Sequence, residues 1–286
     1  MRLGKRLKSF LVYRLGEIYV FLFSGKLLSP FNSKILTLAL KAKGFNNYSS
    51  NLEKSGELAV IQRVVNLGVD EVFDVGANIG QYSDIFLKHS KARVFAFEPM
   101  EESFKRLLSI QLQDKRMVPF NLALGAYEYE TDIFFGSETD QLATISPEAL
   151  QIAYVGRNNS KSKRIKVSTL DQMFLKIQNR NKVTKLDCIK IDTEGFELDV
   201  LKGASRVLSE IKPKAIILEW NWHQLFRGGT LIQIQELLPD YQAFRVLPYT
   251  KGLYPVDTTR PEENICHYSN YVFVRSDLVR KFLQDC

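Results

Sequence analysis

The chain alternates short apolar runs with segments of helical periodicity over most of its length after residue 55. Strand and helix patterns that alternate in this way favour a parallel β-sheet with helices packed on both of its faces. The predicted strands lie at 72–75, 93–97, 117–120, 187–191 and 215–219, and the predicted helices at 79–89, 101–112 and 196–208. The pattern therefore predicts an α/β fold.

Two regions depart from this alternation. Between residues 127 and 180, two strand-like runs at 133–135 and 165–167 flank a polar stretch. Near the end of the chain, the strand-like runs 241–246 and 271–274 have no helical pattern between them, so they could pair antiparallel. A parallel sheet closed by one antiparallel strand is a known mixed arrangement. We therefore expect a mostly parallel sheet with one antiparallel strand.

Charge divides the chain into two parts. The 286 residues carry a formal net charge of +7, and residues 1–54 hold ten Lys or Arg against two Asp or Glu. Residues 55–286 are left with 29 basic and 30 acidic side chains, a balance of −1. We predict a basic amphipathic N-terminal helical arm at 1–54 and one globular domain at 55–286. The content of 45% hydrophobic and 25% charged residues is ordinary for a globular protein and excludes a disordered chain.

The three cysteines indicate the compartment. Cys188, Cys266 and Cys286 have neither metal-ligand spacing nor the even number expected of a disulfide framework. Cysteines without such a pattern are typical of a reducing environment, so we expect a cytoplasmic protein.

The N-terminal segment 3–23 predicts an amphipathic helix. Several apolar residues lie near one face of this helix: Leu3, Leu7, Phe10, Leu11, Ile18 and Leu22. The uncharged run 18–25 is eight residues long, against about 20 for a membrane-spanning helix, and Arg14 and Glu17 interrupt what would otherwise resemble a signal peptide. Two interpretations stay open: a helix packed on the main domain, or peripheral contact of residues 1–26 with the inner face of an anionic membrane.

The sharpest local feature is a glycine-containing turn. Residues 72–80 read Val-Phe-Asp-Val-Gly-Ala-Asn-Ile-Gly, after a predicted strand and before a predicted helix. Gly76 and Gly80 would let the backbone approach a ligand, and Asn78 tolerates left-handed geometry. The spacing differs from the Gly-x-Gly-x-x-Gly of dinucleotide sites. Asp74 precedes the first glycine, where an acid would repel a pyrophosphate but suit an ammonium or a sulfonium.

A second acid follows this turn. Glu98 stands 18 residues after Gly80, at the carboxyl end of the next predicted strand. An acid at that place can accept hydrogen bonds from both ribose hydroxyls. With Asp74 it describes a nucleoside that has a cationic tail and no phosphate, which fits S-adenosylmethionine. The alternative is a structural turn with a helix-capping aspartate.

A second constellation lies over a hundred residues later, at 186–197. A predicted strand ends in Asp192, and Glu194 and Glu197 begin a helix. In open parallel sheets the ligand crevice lies outside the carboxyl ends of the strands, so we expect Asp192 and Glu194 near the first motif. The alternative is helix capping, which suits Glu197 better than Glu194.

These motifs resemble those of the FkbM family of S-adenosylmethionine-dependent methyltransferases. The matching segments are 74–83, 97–99, 121–125, 169–171, 190–197 and 200–204, and the resemblance covers roughly residues 55–275. It implies a seven-stranded Rossmann-like methyltransferase sheet, S-adenosylmethionine as the cofactor, and O-methylation, commonly of sugar or polyketide-type hydroxyls. Asn121 follows the third strand, where this fold usually contacts the adenine. The predicted cofactor-binding residues are Asp74, Gly76, Asn78, Gly80, Tyr82, Glu98, Asn121 and Asp192.

Methylation of an alcohol also requires a base, and a positioned base contributes roughly 10²–10⁴-fold. His223 follows the strand that ends at Glu219, and imidazole titrates near neutral pH, although a structural histidine beside two tryptophans is the alternative. Asp192 is the other candidate, and Glu194 completes the predicted catalytic set. Asp192, Glu194 and Glu219 could also hold Mg²⁺. Solvated or capping carboxylates explain these acids equally well, so a divalent cation is not favoured and no metal site is predicted.

The acceptor is the least determined part of the prediction. The basic stretch 157–166 indicates either a solvated loop or a site for an anionic acceptor, such as a nucleotide sugar or a phosphorylated glycolipid. With residues 141–146 it forms the predicted acceptor lid. We expect a sugar, glycan or glycolipid-type acceptor. A nucleic-acid methyltransferase and a non-catalytic cofactor-binding module are the alternatives, disfavoured by the −1 charge of the main domain and by the intact acids of both motifs, respectively.

Overall fold

The computed structural model describes residues 2–49, 51–137, 142–249 and 252–284, and for residues 2–11 it describes the backbone alone. Some predicted features lie outside the described residues: Gln141 of the lid, Cys286, and the side chains of Leu3, Leu7, Phe10 and Leu11. The fold consists of two compact units, Met1–Lys43 and Gly44–Cys286. The division into an arm and a domain at residue 54 stays a prediction.

The first unit is helical. It contains α1 (Arg2–Phe23), a 3₁₀ turn (Lys26–Leu28) and α2 (Ser29–Ala42). The hydroxyl of Tyr19 donates a hydrogen bond to Asn32 Oδ1 at 2.6 Å, and the ring of Phe23 stacks on those of Tyr19 and Phe31. No described side chain between residues 12 and 43 is buried, so the apolar residues of both helices are exposed to a large degree. Within the described ranges, no helix has the length and apolarity needed to cross a membrane.

The second unit contains the remaining elements. Its strands are β1 (Glu71–Val75), β2 (Arg93–Phe97), β3 (Met117–Phe120), β4 (Ala123–Leu124), β5 (Tyr129–Phe135), β6 (Lys161–Ser168), β7 (Cys188–Ile191), β8 (Ala215–Trp220), β9 (Tyr241–Val246), β10 (Leu253–Pro255) and β11 (Ser269–Arg275). Its helices are α3 (Leu52–Ser55), α4 (Glu57–Asn66), α5 (Gln81–His89), α6 (Glu101–Gln113), α7 (Ala153–Asn158), α8 (Leu170–Asn181), α9 (Glu197–Lys202), α10 (His223–Arg227), α11 (Leu231–Leu237) and α12 (Val279–Leu283).

The central sheet has the strand order β10-β9-β11-β8-β7-β1-β2-β3. The strands β3, β2, β1, β7 and β8 pair in parallel, whereas β11 lies antiparallel to both β8 and β9. The predicted α/β fold with a mostly parallel Rossmann-like sheet is therefore confirmed, and β11 is an antiparallel strand as predicted. The short β10, antiparallel to β9, adds an eighth strand at one edge and a second antiparallel one. β1 lies between β2 and β7, so the chain order reverses there and opens a crevice at the carboxyl ends of these strands.

The inner strands are buried on both faces, as expected for strands in a parallel sheet. Phe73 and Phe95 pack on one face of the sheet, and Val72 and Val94 pack on the other. Residues that alternate along β1 and β2 therefore serve two separate cores. This packing fixes the carboxyl ends of β1 and β2 side by side, which is where the first motif begins.

The irregular middle region forms a second sheet. It has the strand order β4-β6-β5, with β5 antiparallel to β6. The strand-like runs predicted at 133–135 and 165–167 lie within β5 and β6. The solvated-loop alternative for the basic stretch was wrong for Lys161–Ser168, because these residues form a strand. Ile165 and Val167 are buried while Arg164 and Lys166 are exposed, so the stretch has the period of two that a half-buried strand requires.

Candidate active site

A cavity of about 1110 Å³ lies at the carboxyl ends of β1, β2, β7 and β8. One side of it is lined by the glycine turn and its neighbours, including Gly76, Asn78, Gly80, Tyr82, Glu98, Ala123 and Leu124. The other side is lined by Asp192, Glu194, Glu219, Asn221, Trp222, Tyr154, Tyr268 and Tyr48. The two constellations that sequence analysis placed together are thus parts of one cavity.

The glycine turn has the backbone that its residue types predict. Gly76, Asn78 and Gly80 have φ angles of 74°, 46° and 87°, all in the left-handed region. A Cβ atom on Gly76 would lie 1.7 Å from the carbonyl oxygen of Asp192, so the two motifs touch through their backbones at this residue. Only glycine permits both the positive φ and this close approach.

Glu98 holds the turn in place and faces the cavity. Its Oε2 accepts the backbone N–H of Asn78, and its Oε1 accepts that of Met100, both at 2.8 Å. Burial raises the pKa of Glu98 to about 7, although the two amide hydrogen bonds act in the opposite direction. A carboxylate fixed in this way retains lone pairs for the ribose hydroxyls, as the prediction requires.

Asp74 does not line the cavity, contrary to the expectation that it faces the cationic end of the cofactor. It is fully buried, and its Oδ2 accepts a hydrogen bond from Ser83 Oγ at 2.6 Å. Its Oδ1 lies 3.7 Å from Nζ of Lys190, which lies 3.1 Å from Asp192 Oδ2. Burial by itself would lower the pKa of Lys190, but Asp192 and Asp74 raise it above its ordinary value. Asp74 therefore acts on the cavity through Lys190.

Two other residues of the predicted cofactor set have structural partners. Asn121 does not line the cavity; its Nδ2 donates hydrogen bonds to the carbonyl oxygens of Glu98 and Pro99, each at 3.0 Å. Tyr82 lines the cavity, its hydroxyl donates to Glu57, and its ring lies under Lys190 Nζ at 4.7 Å. Ala123 and Leu124, two and three residues after Asn121, line the cavity instead.

Three carboxylates converge at the far side of the cavity. Asp192, Glu194 and Glu219 each offer an oxygen within 4.8 Å of the others. Asn221 Nδ2 donates to Glu194 Oε2 at 3.1 Å and to Glu219 Oε1 at 3.0 Å. Burial raises the pKa of Glu194 and of Glu219 well above the ordinary value, and the charge of Asp192 raises both further. A group of carboxylate oxygens this close together suits a divalent cation. The expectation that a divalent cation is not favoured therefore stays a prediction.

His223 lies behind this cluster and outside the cavity lining. It is fully buried, and its Nδ1 lies 3.3 Å from Glu194 Oε2. Burial lowers its pKa, so the neutral imidazole is favoured. The structure therefore brings His223 to Glu194 and separates it from the space that an acceptor would occupy.

Glu197 is buried and has a structural role, because its carboxylate binds the turn that precedes α9, although it does not cap the helix. Its Oε1 accepts the backbone N–H groups of Thr193 and Gly195 at 3.0 and 3.1 Å. Its Oε2 accepts Gln224 Nε2 at 2.6 Å. These bonds fix the turn that carries Glu194.

Several residues that line the cavity were not predicted from the sequence as site residues. Lys190 is a charged residue inside an otherwise apolar strand, and that anomaly was the available signal. The aromatic residues Tyr48, Tyr154, Trp222 and Tyr268 come from distant segments and have no spacing that marks them. Trp222 Nε1 donates a hydrogen bond to the Tyr154 hydroxyl, and these two rings meet edge to face with centroids 6.0 Å apart.

The predicted lid is only partly placed at the cavity. Leu142, Ala143 and Ile145 line it, whereas the basic residues of β6 do not. Lys163 Nζ lies 2.6 Å from Glu101 Oε2, and Arg164 has surface carboxylates within 3.8 Å. The basic stretch therefore supplies no cation to the cavity.

Comparison with known proteins identifies the family. A sequence profile described as the methyltransferase FkbM domain matches residues 74–246. Over 149 residues the chain is 32% identical to the hexuronic acid methyltransferase AglP of Haloferax volcanii, a match that covers 50% of this chain and 53% of that protein. The chain thus spans about half the length of this curated relative.

Solved structures resemble the chain more distantly. Precorrin-6y C5,15-methyltransferase from Geobacter metallireducens has a TM-score of 0.40 and 11% identity, covering 81% of this chain and 95% of that one. The O-methyltransferase from Bacillus cereus in complex with SAH has a TM-score of 0.39 and 13% identity, covering 92% and 97%. TM-scores of 0.40 and 0.39 are too low to assign a fold. The Rossmann-like fold is shown instead by the order and direction of the strands in the central sheet.

Proposed function

The chain belongs to the FkbM methyltransferase family and uses S-adenosylmethionine, and on this premise we propose that it methylates a hydroxyl group of a sugar, glycan or glycolipid-type acceptor. The observation that carries the proposal is the division of one cavity into two halves. One half has the glycine turn and Glu98, and the other has three carboxylates beside exposed aromatic edges. A methyl donor and a polar acceptor can therefore meet within a single cavity.

The first half fits the cofactor. S-adenosylmethionine, when bound, supplies a methyl group on a sulfonium that is already activated for displacement. Gly76 leaves its backbone accessible, Glu98 offers carboxylate oxygens for a ribose, and Ala123 and Leu124 offer apolar surface for an adenine. The negative charge of Asp192 favours a cationic ligand at the boundary between the two halves. Holding two reactants in a reactive pose can lower the barrier by about 7–11 kcal/mol.

The second half supplies the proton acceptor. We propose Glu194 as the general base, because it lines the cavity and because burial raises the pKa of its carboxyl group well above the ordinary value, which makes its carboxylate a stronger proton acceptor. Asp192 is less suited, since Lys190 lies 3.1 Å from its carboxylate. His223 is a positioning residue, because the buried ring reaches the reaction only through Glu194.

Two further observations favour a carbohydrate over a nucleic acid. The relative AglP is named as a hexuronic acid methyltransferase, and a carbohydrate acceptor is consistent with that name. The cavity walls are acidic and the main domain has a charge of −1, whereas a nucleic-acid site needs a basic surface.

Transfer of labelled methyl groups tests this proposal. The protein is incubated with methyl-labelled S-adenosylmethionine and a cell-envelope or nucleotide-sugar extract. We expect label in carbohydrate, in an alkali-stable linkage, and its loss in Glu194→Gln with S-adenosylhomocysteine binding retained. Label in nucleic acid, or no transfer to any envelope or nucleotide-sugar fraction, would contradict the acceptor class.

We also propose peripheral contact of the first unit with an anionic membrane on its cytoplasmic face. Residues 1–43 hold nine basic side chains and one acid, and apolar residues such as Phe21 and Leu27 are 86% and 95% exposed. Exposed apolar side chains beside lysine and arginine suit both acyl chains and headgroups. Co-sedimentation with anionic liposomes at two salt concentrations tests this, and absence of binding at low salt would contradict it.

A further inference from the structure

The charge of the cavity is one-sided. Among the described residues that line it, six are acids and only one is basic: Glu57, Asp84, Glu98, Asp192, Glu194 and Glu219 against Lys190. Lys190 is already shared by Asp74 and Asp192, at 3.7 and 3.1 Å. The described lining of the cavity therefore has no cation left over to receive a negative group on an acceptor.

The carboxylates of the acceptor half are oriented so that they can accept hydrogen bonds from a ligand. Asn221 is 3% exposed, and its amide nitrogen donates to both Glu194 and Glu219, which fixes the orientation of the two carboxylates. Carboxylate oxygens without a further donor accept hydrogen bonds from hydroxyl groups. A further negative charge close to these oxygens would meet repulsion that the low-dielectric surroundings strengthen.

One wall of this half is aromatic. Trp222 and Tyr154 both line the cavity. The indole N–H of Trp222 donates a hydrogen bond to the Tyr154 hydroxyl, and the edge-to-face contact of their rings further restricts both side chains. On the same cavity, Tyr48 and Tyr268 meet edge to face with centroids 5.5 Å apart. Rigid aromatic surfaces beside oriented polar groups suit a ring that has one apolar face and a rim of hydroxyls.

We infer that the acceptor half takes an uncharged, hydroxyl-bearing ring and discriminates against a carboxylate or phosphate next to the reacting hydroxyl, with Glu219 and Trp222 as specificity-determining residues. The inference rests on the proposed function and narrows its acceptor class. It also separates this chain from the relative AglP, whose name specifies a hexuronic acid. Discrimination follows because hydroxyls satisfy the carboxylates, whereas an anion adds repulsion and leaves them unsatisfied.

A matched pair of sugars tests this inference without any turnover. The full chain, saturated with S-adenosylhomocysteine and in EDTA at pH 7.5, is titrated with the methyl glycosides of glucose, galactose and mannose and with their uronates. Each pair differs only in a CH₂OH or a carboxylate. Intrinsic tryptophan fluorescence, to which Trp220 and Trp222 contribute, and saturation-transfer NMR report binding. We expect at least one neutral glycoside to bind about tenfold or more tightly than its uronate.

Three variants identify the cause. Glu219→Gln replaces an ionisable carboxyl group with a neutral amide and should narrow the ratio of the affinity for the neutral sugar to the affinity for its uronate. Trp222→Ala should weaken binding of the neutral sugar several-fold, as measured by NMR. Glu210→Gln, at an exposed position away from the cavity, should change neither value.

Several outcomes would overturn the inference. The first is that the uronate binds as tightly as the neutral glycoside or more tightly, and the second is that the uronate binds once Mg²⁺ is added. The third is that Glu219→Gln leaves the ratio of the two affinities unchanged. The fourth is that no neutral glycoside binds at concentrations of tens of millimolar. These failures are distinct from failure of the proposed function. Methyl transfer to a uronate would support the proposed O-methyltransferase activity and contradict only the narrower acceptor class.

Discussion

Lys190, a buried residue of β7, forms an ion pair with Asp192, the partly exposed residue that follows this strand, with Nζ 3.1 Å from Oδ2. The same ammonium lies 3.7 Å from Asp74, the acid of the first motif. One cation thus joins the acid at the end of β1 to the acid at the end of β7. The two motifs are connected electrostatically as well as by the backbone contact at Gly76.

Replacing Lys190 with methionine should destabilise the fold, because Asp74 would keep a buried charge without its partner. We expect the free energy of unfolding in urea to fall by about 3–5 kcal/mol, the range for one partner removed from a buried pair. Lys88→Met is the control, since Lys88 is 67% exposed and pairs with Asp84 on the surface of α5. A loss below about 1 kcal/mol in Lys190→Met would contradict the role given to this pair.

Replacing Gly76 with alanine should impair cofactor binding. The added Cβ would meet the Asp192 carbonyl oxygen at 1.7 Å, which forces the two halves of the cavity apart. We expect at least a tenfold loss of S-adenosylhomocysteine affinity by calorimetry. Gly68→Ala is a matched control, because Gly68 has a similar φ of 80° and no atom within 4 Å of an added Cβ. It should cost about 1–2 kcal/mol of stability and leave the affinity intact.

Stability should fall as the pH rises from 4.5 to 7. Burial raises the pKa of Glu57 and of Glu98 to about 7, from ordinary values of 4.5. In this window the folded protein binds more protons than the unfolded chain, so the free energy of unfolding decreases as protons leave. Glu98→Gln should remove roughly half of the pH dependence due to these two groups. The measurement is urea unfolding at several pH values, with the exposed Glu53→Gln as control; an unchanged slope in Glu98→Gln would refute the assignment.

Glu194→Gln should lower kcat by about 10²–10⁴-fold, as expected for the loss of a general base. Glutamine can still accept the hydrogen bond from Asn221, so the affinity for S-adenosylhomocysteine should stay within about twofold. His223→Asn should reduce kcat less and shift the pH profile, because it acts through Glu194 at 3.3 Å. The assay uses the acceptor fraction identified by labelled transfer. Equal kcat in Glu194→Gln and the wild type would remove Glu194 as the base.

Phe21→Ser combined with Leu27→Ser should reduce binding to anionic vesicles several-fold, because these side chains are 86% and 95% exposed beside a strongly basic surface. Vesicle binding by the wild type should also weaken as salt rises. Leu112→Ser, on α6 of the second unit and 76% exposed, is the control. Equal binding by the double variant and the control would contradict a membrane role for the first unit.

Several features were readable from local sequence because each depends on neighbouring residues alone. The apolar runs of β1 and β2, the glycines with positive φ and the acid at the end of β2 all follow from residue type and short-range spacing. The family motifs extended this local reading to the order of the strands. A structural role for Glu197 was also available as an alternative, since acids favour the first turn of a helix and Glu197 is the first residue of α9.

Other features depended on contacts between distant segments. Asp74 is a motif residue, yet burial turns it toward Lys190 and Ser83 and away from the cavity. His223 lies near the site in sequence terms, but packing puts it behind Glu194. The basic residues of β6 were expected at the acceptor, and pairing with β5 places them on another surface.

The sequence by itself determined the α/β sheet, the methyltransferase family and the position of the glycine turn, because apolar periodicity, glycine geometry and the spacing within each motif are local properties. Only the tertiary structure decided which acids line the cavity and which support other residues. It also assembled Tyr48, Tyr154, Trp222 and Tyr268 around the acidic cluster. Side-chain direction and burial are set by packing between segments far apart in the chain, and no local pattern records that packing.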